Sequence, residues 1–250
     1  MTNFSVLVEA CVDSVESAVA AEEGGAGRIE LCAGLAEGGL TPSAGLVAAC
    51  RERVTIPLYV IVRPRGGDFV YSEAELEVMH RDLAAARQMG ADGVVLGVLE
   101  PEGTVDVTQT RALVEAARPL DVTFHRAFDQ TRDPDAALEA VIATGADRVL
   151  TSGHAPSASE GVAVLARQVK RAAGRLAVLA GGGITEENVG RIVLESGVRE
   201  VHVRGATLVP SAAHYRNPAI TFLKPALADE SVRVVADRER IRLIVARATG

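Results

Sequence analysis

The sequence predicts a single closed (β/α)8 barrel of the TIM type with a C-terminal extension. Three observations carry this expectation. Short β-branched runs recur eight times with starts about 28 residues apart, the length of one strand, one helix and two short loops. The runs read as apolar on both faces, as parallel strands covered by helices should. The chain has 250 residues, which suits one large α/β domain. An open doubly wound sheet is the alternative, but it carries a glycine-rich turn after its first strand. Here that turn reads Glu9-Ala10-Cys11-Val12-Asp13, without glycine.

In chain order, the strands are expected at Ser5–Ala10, Arg28–Leu31, Leu58–Arg63, Gly93–Gly97, Val122–His125, Arg148–Thr151, Leu176–Ala180 and Arg199–Val203. Helix starts lie between them. Asp13, Ser72, Asp106 and Ser157 each stand three residues before Glu16, Glu75, Gln109 and Glu160, the spacing of a capping box. Thr41-Pro42 and Asp133-Pro134 place a cap before proline at the first helical position. Glycines end the helices in Gly24-Gly25, Gly90, Gly145 and Gly197, just before the next strand. The barrel is expected over residues 1–209. Residues 210–250, with Tyr215-Arg216-Asn217-Pro218 and a basic Arg233–Arg247 stretch, fall outside the eightfold pattern. Ile241, Leu243, Ile244 and Val245 are expected to pack on the barrel or on a neighbouring subunit.

Composition narrows the function. Apolar residues make up 48%, charged residues 24% and aromatics 3%, with no tryptophan, so the core is aliphatic and disorder, collagen and coiled coil are excluded. A net charge of −7 argues against a nucleic-acid or anionic-membrane partner. No run approaches the roughly 20 apolar residues of a bilayer span, and the start Met-Thr-Asn-Phe-Ser lacks the features of a secretory signal. A cytoplasmic protein is expected. Three cysteines without a C-x-x-C pair read as reduced thiols.

In a barrel of this kind, functional groups gather at the C-terminal strand ends. Side chains alternate along a strand, so Glu9 shares a face with Cys11, and Glu30 with Cys32. The apolar partners Val8 and Ala10 belong against helices, which leaves the Glu/Cys face for the barrel interior. Neighbouring strands lie about 4.8 Å apart, so the two thiols can reach one ligand. Two soft thiolates suit Cu(I) better than Mg2+ or Ca2+. The alternative is that both cysteines pack as small hydrophobes. Cys50, expected within the second helix, reads as structural.

His125 and His202 are acid/base or ligand candidates, and Asp129 stands close to His125 in sequence. Arg63, Arg65, Arg126 and Arg204 suggest a cationic rim for an anion, with guanidinium forks gripping carboxylate or phosphate. The competing reading of Arg63 is that it neutralises Glu9 and Glu30. Gly181-Gly182-Gly183 after strand seven, leading into Glu186 and Glu187 at a helix start, suits a phosphate, with Ser152 and Arg204 on flanking strand ends. A tight βα turn is the plainer account of those glycines.

At these residues the chain resembles the CutC family of copper homeostasis proteins. The matching phrases include Glu9-Ala10-Cys11-Val12-Asp13, Arg28-Ile29-Glu30-Leu31-Cys32, Arg63-Pro64-Arg65-Gly66-Gly67-Asp68-Phe69, Thr123-Phe124-His125-Arg126-Ala127-Phe128-Asp129 and Glu200-Val201-His202. The resemblance spans about residues 5 to 205. It implies a TIM-type barrel, a cytoplasmic location, self-association into a homo-oligomer, and Cu(I) bound through cysteine, which carries over to Cys11 and Cys32. Two departures stand out. Val70 occupies a place where many relatives have cysteine, and Val203-Arg204-Gly205-Ala206 adds a cation after His202 where relatives continue with small residues. Two functions follow as expectations. One is a Cu(I)-binding protein of copper homeostasis. The other is an isomerase- or lyase-type enzyme acting on a small phosphorylated or carboxylated metabolite, in which His125, Glu9 or Glu30 moves a proton.

Overall fold

The computed structural model describes residues 6–217, 219–220 and 231–249. Eight parallel strands close into one barrel: β1 (Leu7–Val12), β2 (Arg28–Leu31), β3 (Leu58–Ile61), β4 (Gly93–Leu96), β5 (Asp121–Phe124), β6 (Arg148–Thr151), β7 (Ala177–Gly181) and β8 (Glu200–Val203). β8 pairs back onto β1, with Glu9 opposite His202, which leaves this sheet without an edge. Every expected strand is present within one or two residues at either end, except that Ser5 and Pro218 of the expected segments lie outside the described residues.

Seven helices alternate with these strands: α1 (Val15–Glu23), α2 (Ala44–Arg51), α3 (Glu73–Gln88), α4 (Val107–Ala117), α5 (Pro134–Thr144), α6 (Val162–Ala172) and α7 (Val189–Ser196). Their starts follow cap chemistry with some shifts from expectation. Ser72 and Glu75 form a complete capping box on α3, Asp106 caps α4 through the Gln109 N–H, and Asp133 caps α5 ahead of Pro134. For α1 the cap is Ser14 rather than Asp13. For α2 it is Ser43 rather than Thr41, because the Thr41 hydroxyl exchanges hydrogen bonds with the Arg63 backbone at 3.0 and 3.2 Å. Ser157 and Glu160 do bond each other, but in a turn that precedes α6.

The residues that the eightfold pattern leaves out contain its eighth helix. After β8 the chain forms an antiparallel pair, β9 (Ala206–Pro210) with β10 (Val232–Ala236), and then α8 (Arg238–Thr249). α8 packs beside α7, α1 and β1. It buries Ile241, Ile244 and Ala248, while Leu243 stays exposed. Close approach requires small neighbours: a Cβ at Gly24 or Gly205 would come within 2.9 or 2.5 Å of Ile241. Arg240 pairs with Glu186 and Arg247 bonds the Glu186 carbonyl, which fastens α8 to the loop after β7.

The core lies mainly between sheet and helices, where Val8, Ala10, Val12, Ile29, Leu31, Val60 and their neighbours face outward from the strands. The interior face departs from the expectation of apolar strands. Cys32, Tyr59, Ile61 and Val95 form a small apolar cluster there, but Glu9, Arg28, Glu30 and Arg148 are buried inside as well. A cylinder this narrow is filled by side chains, and here part of the filling is charged. Glycines at the start of β4 and just past its end make room on either side of Val95. A Cβ at Gly93 would sit 2.6 Å from the Tyr59 ring, and one at Gly97 2.7 Å from the His125 ring.

Candidate metal centre

β1 and β2 run in parallel register with Cys11 opposite Glu30, so the odd-numbered side chains of β1 and the even-numbered side chains of β2 enter the barrel together. This places Glu9, Cys11, Arg28, Glu30 and Cys32 on one wall, and β8 adds His202 opposite Glu9. The two sulfurs lie 3.7 Å apart. Cys32 Sγ also lies 3.5 Å from Glu30 Oε2, within donating distance. One donor atom from each of Cys11, Glu30 and Cys32 falls within 4.8 Å of the others. Cys32 is buried and Cys11 is partly open toward the mouth.

The electrostatics follow from burial and close pairing. Burial alone would raise the Glu9 carboxyl, but the His202 ring nitrogen 2.7 Å away and the Arg28 guanidinium hold it down to about 2. Glu9 is therefore ionised and accepts from His202 Nδ1–H. His202 Nε2 faces Glu30 at 3.6 Å. Burial opposes the imidazolium, yet Glu30, Cys11 and Glu9 together push the His202 pKa well above its ordinary value. The Cys32 hydrogen bond, reinforced by His202, pulls the Cys11 thiol well below its usual range despite burial. Cys32, as that donor and deeply buried, moves upward. Glu30 rises as well, first through burial and then through the facing Cys11. The arrangement gathers two sulfurs, a carboxyl and an imidazole, a mixed soft and hard donor set.

Beneath this group runs an ionic stack that periodicity alone did not single out. Arg28 bridges Glu9 to Glu200, the latter at 2.6 Å, and Glu200 also receives Arg148 at 3.1 Å. Arg148 reaches the Tyr59 hydroxyl at 3.1 Å, and that hydroxyl donates to Asp121. Both guanidiniums lie over the Tyr59 ring. The signal was present as parity: Arg28 shares its face with Glu30 and Cys32, and Arg148 shares one with Leu150 and Ser152. Which strand supplies a charge's partner across a barrel is not encoded in that alternation.

The remaining candidates separate. Arg63 is 4% exposed and does not neutralise Glu9 or Glu30; Arg28 takes the former role. Arg63 instead donates to the carbonyls of Glu37, Gly39 and Gly67 and lies over Phe69, whose other neighbour is His125. His125 accepts from the Ala127 N–H through Nδ1, and burial beside Arg63 lowers its pKa to about 3, so it is neutral. The expected cationic rim is largely neutralised. Arg65 pairs with Glu75 and Asp68, and Arg126 pairs with Asp129 at 2.8 Å while donating to Ser152. Asp129 accepts from the Thr151 hydroxyl, the Ser152 N–H and the His154 N–H, stapling the end of β6. Arg204 is exposed and lines a recess with Cys11 and Asp13. Gly181 packs against Leu150 and His202, and Gly182 and Gly183 adopt φ of 99° and 69° in the turn. Glu186 and Glu187 precede α7 instead of opening it, so no helix start meets that turn directly. Cys50 is buried in α2, with its thiol pushed up to about 11.

Comparison with known proteins gives one family. Residues 6–207 match the model of the CutC family. A human protein named copper homeostasis protein cutC homolog is 47% identical over 242 residues, covering 97% of this chain and 89% of its own length. A family protein CutC from Bacteroides fragilis is 47% identical over 243 residues, covering 97% and 96%. A solved CutC structure from Streptococcus agalactiae superposes with a TM-score of 0.75 at 32% identity, covering 79% of this chain and 97% of that one.

Proposed function

The chain belongs to the CutC family, and from that premise we propose that it binds Cu(I) through Cys11 and Cys32 as part of copper homeostasis in the cytoplasm. The observation that carries this reading is the 3.7 Å separation of the two sulfurs, with a Glu30 oxygen beside them. Metal–thiolate bonds are on the order of 2.3 Å, so one ion bridges sulfurs up to about 4.6 Å apart. The donors fit the ion: thiolate sulfur is soft, and Cu(I) is a soft cation. Both sulfurs bind as thiolates, the Cys11 thiol being the more readily ionised of the two, so uptake releases acid. Glu30 and His202 face the sulfurs and compensate the charge that the ion brings.

Titration with Cu(I) under reducing conditions tests this. Wild type is expected to take up one ion per chain. The Cys11→Ser/Cys32→Ser variant is expected to lose that affinity while keeping its far-UV circular dichroism. Equal affinity in both proteins overturns the reading.

A second reading rests on a different observation. Arg63 is a buried cation without a carboxylate partner among the described residues, and its Nε and the Nε2 of His125 lack hydrogen-bond partners. Unpaired buried donors are costly, and a small organic anion would satisfy both. Under this reading the barrel acts as an isomerase- or lyase-type enzyme on a carboxylated or phosphorylated metabolite. Thermal-shift measurements with small carboxylates and inorganic phosphate, on wild type and Arg63→Met, check it. Stabilisation confined to wild type supports the reading, and no shift in either protein discards it.

A further inference from the structure

We propose that Cys11 and Cys32 form a reversible dithiol–disulfide couple, closed by a peroxide arriving at Cys11. The sulfurs already touch at 3.7 Å across neighbouring strands, and bond formation at about 2.05 Å needs an approach of under 2 Å, within reach of side-chain rotation. Space beside the Cys32 sulfur is kept open by Gly39. A Cβ there would stand 3.3 Å from Sγ, and the residue's φ of 92° favours glycine. Exposure is asymmetric. Cys11 is partly open and lines the small recess with Asp13 and Arg204, whereas Cys32 is 1% exposed. An oxidant therefore reaches Cys11 first, and Cys32 is positioned behind it as the resolving thiol.

The chemistry balances with hydrogen peroxide as the two-electron oxidant. The Cys11 sulfur attacks one peroxide oxygen, the O–O bond breaks, and Cys11 becomes a sulfenic acid as water leaves. The Cys32 sulfur then attacks the Cys11 sulfur. The S–O bond breaks, and the departing hydroxide takes the Cys32 proton as a second water. Two thiols are oxidised and one peroxide is reduced. A reducing thiol reverses the step by exchange. Resting on the Cu(I) reading, closure removes both sulfur donors together, so oxidation and metal occupancy exclude one another. Cys50 lies buried in α2 and takes no part.

The test is stepwise addition of hydrogen peroxide to the reduced full-length protein without metal. Free thiols are expected to fall from the three of the reduced chain to one, with a mass loss of two hydrogens and a Cys11–Cys32 cross-linked peptide. Cys50→Ser should close the same bond, and Cys32→Ser should instead accumulate a sulfenic acid at Cys11 that dimedone traps. No cross-link in either wild type or Cys50→Ser, or a bond that includes Cys50, overturns the couple. Anaerobic Cu(I) titration of the oxidised protein separates the two ideas. Binding as weak as in Cys11→Ser/Cys32→Ser is expected. A cross-link in a protein whose reduced form binds no Cu(I) defeats the metal reading and leaves the couple standing. Binding without any cross-link does the reverse.

Discussion

Glu9 is wholly buried, and its charge is tolerated because Arg28 and His202 both reach it. Removing one partner of such a group leaves the others uncompensated, so Glu9→Gln is expected to destabilise the fold by about 3–5 kcal/mol in urea unfolding at neutral pH. The pH dependence has a defined sign. The Glu9 pKa falls from 4.5 to about 2 on folding, so its contribution is complete above about 4.5 and is lost as the pH drops toward 2. His202 moves upward, so its contribution is complete below its ordinary value of 6.5 and fades as the pH rises through the elevated folded value. Stability in wild type should therefore fall away at both ends, and Glu9→Gln should flatten the acid side. An unchanged acid limb in the variant contradicts this account. Much of the group was legible in the sequence, because alternation alone places Glu9 with Cys11 and Glu30 with Cys32. The partners of Arg63 were not legible, since its three carbonyl acceptors belong to loops whose path depends on the closed barrel.

Individual elements show where local signals suffice. The capping box of α3 needs only Ser72 and Glu75, and the sequence displays both. Ser72→Ala is expected to cost about 1 kcal/mol in denaturant unfolding, and a change below a few tenths would mean that the helix start is held by its packing instead. α1 and α2 begin later than expected because two cap-competent residues stand close together in each case. Nothing local separates Asp13 from Ser14, whereas tertiary hydrogen bonds occupy Thr41 and leave Ser43 free to cap. Strand β4 carries the opposite kind of information. Its Gly93 reads from sequence as a strand start, but its role is to admit the Tyr59 ring. Gly93→Ala is expected to cost about 1–3 kcal/mol by overpacking, measured as a lowered urea midpoint. A neutral result would show that the ring shifts freely, although Arg28 and Arg148 stand over it.

At the scale of the whole molecule, the net charge of −7 conceals an interior in which arginines and carboxylates alternate from Asp121 and Tyr59 through Arg148, Glu200 and Arg28 to Glu9. The barrel's eighth helix was hidden because the intervening β9–β10 pair breaks the spacing that reveals the other seven. A chain ending at Asp237 should lose at least about 4 kcal/mol, since Ile241 and Ile244 are each fully buried and each contributes about 2 kcal/mol. Proteolysis at native pH measures this, and equal resistance in the two chains would show that α8 is dispensable. The docking of α8 on α1 and β1 also has a consequence in time. Residues late in this sequence cover residues early in it, with Ile241 seated against Gly24 across more than two hundred positions. A nascent chain that has not yet exposed α8 holds a barrel whose first wall is wet, and such long-range contacts are slow to gather. Chains stalled before Arg238 should be cut readily by protease and chains that include α8 should not, so synthesis of α8, more than the order of the strands, sets the moment of closure.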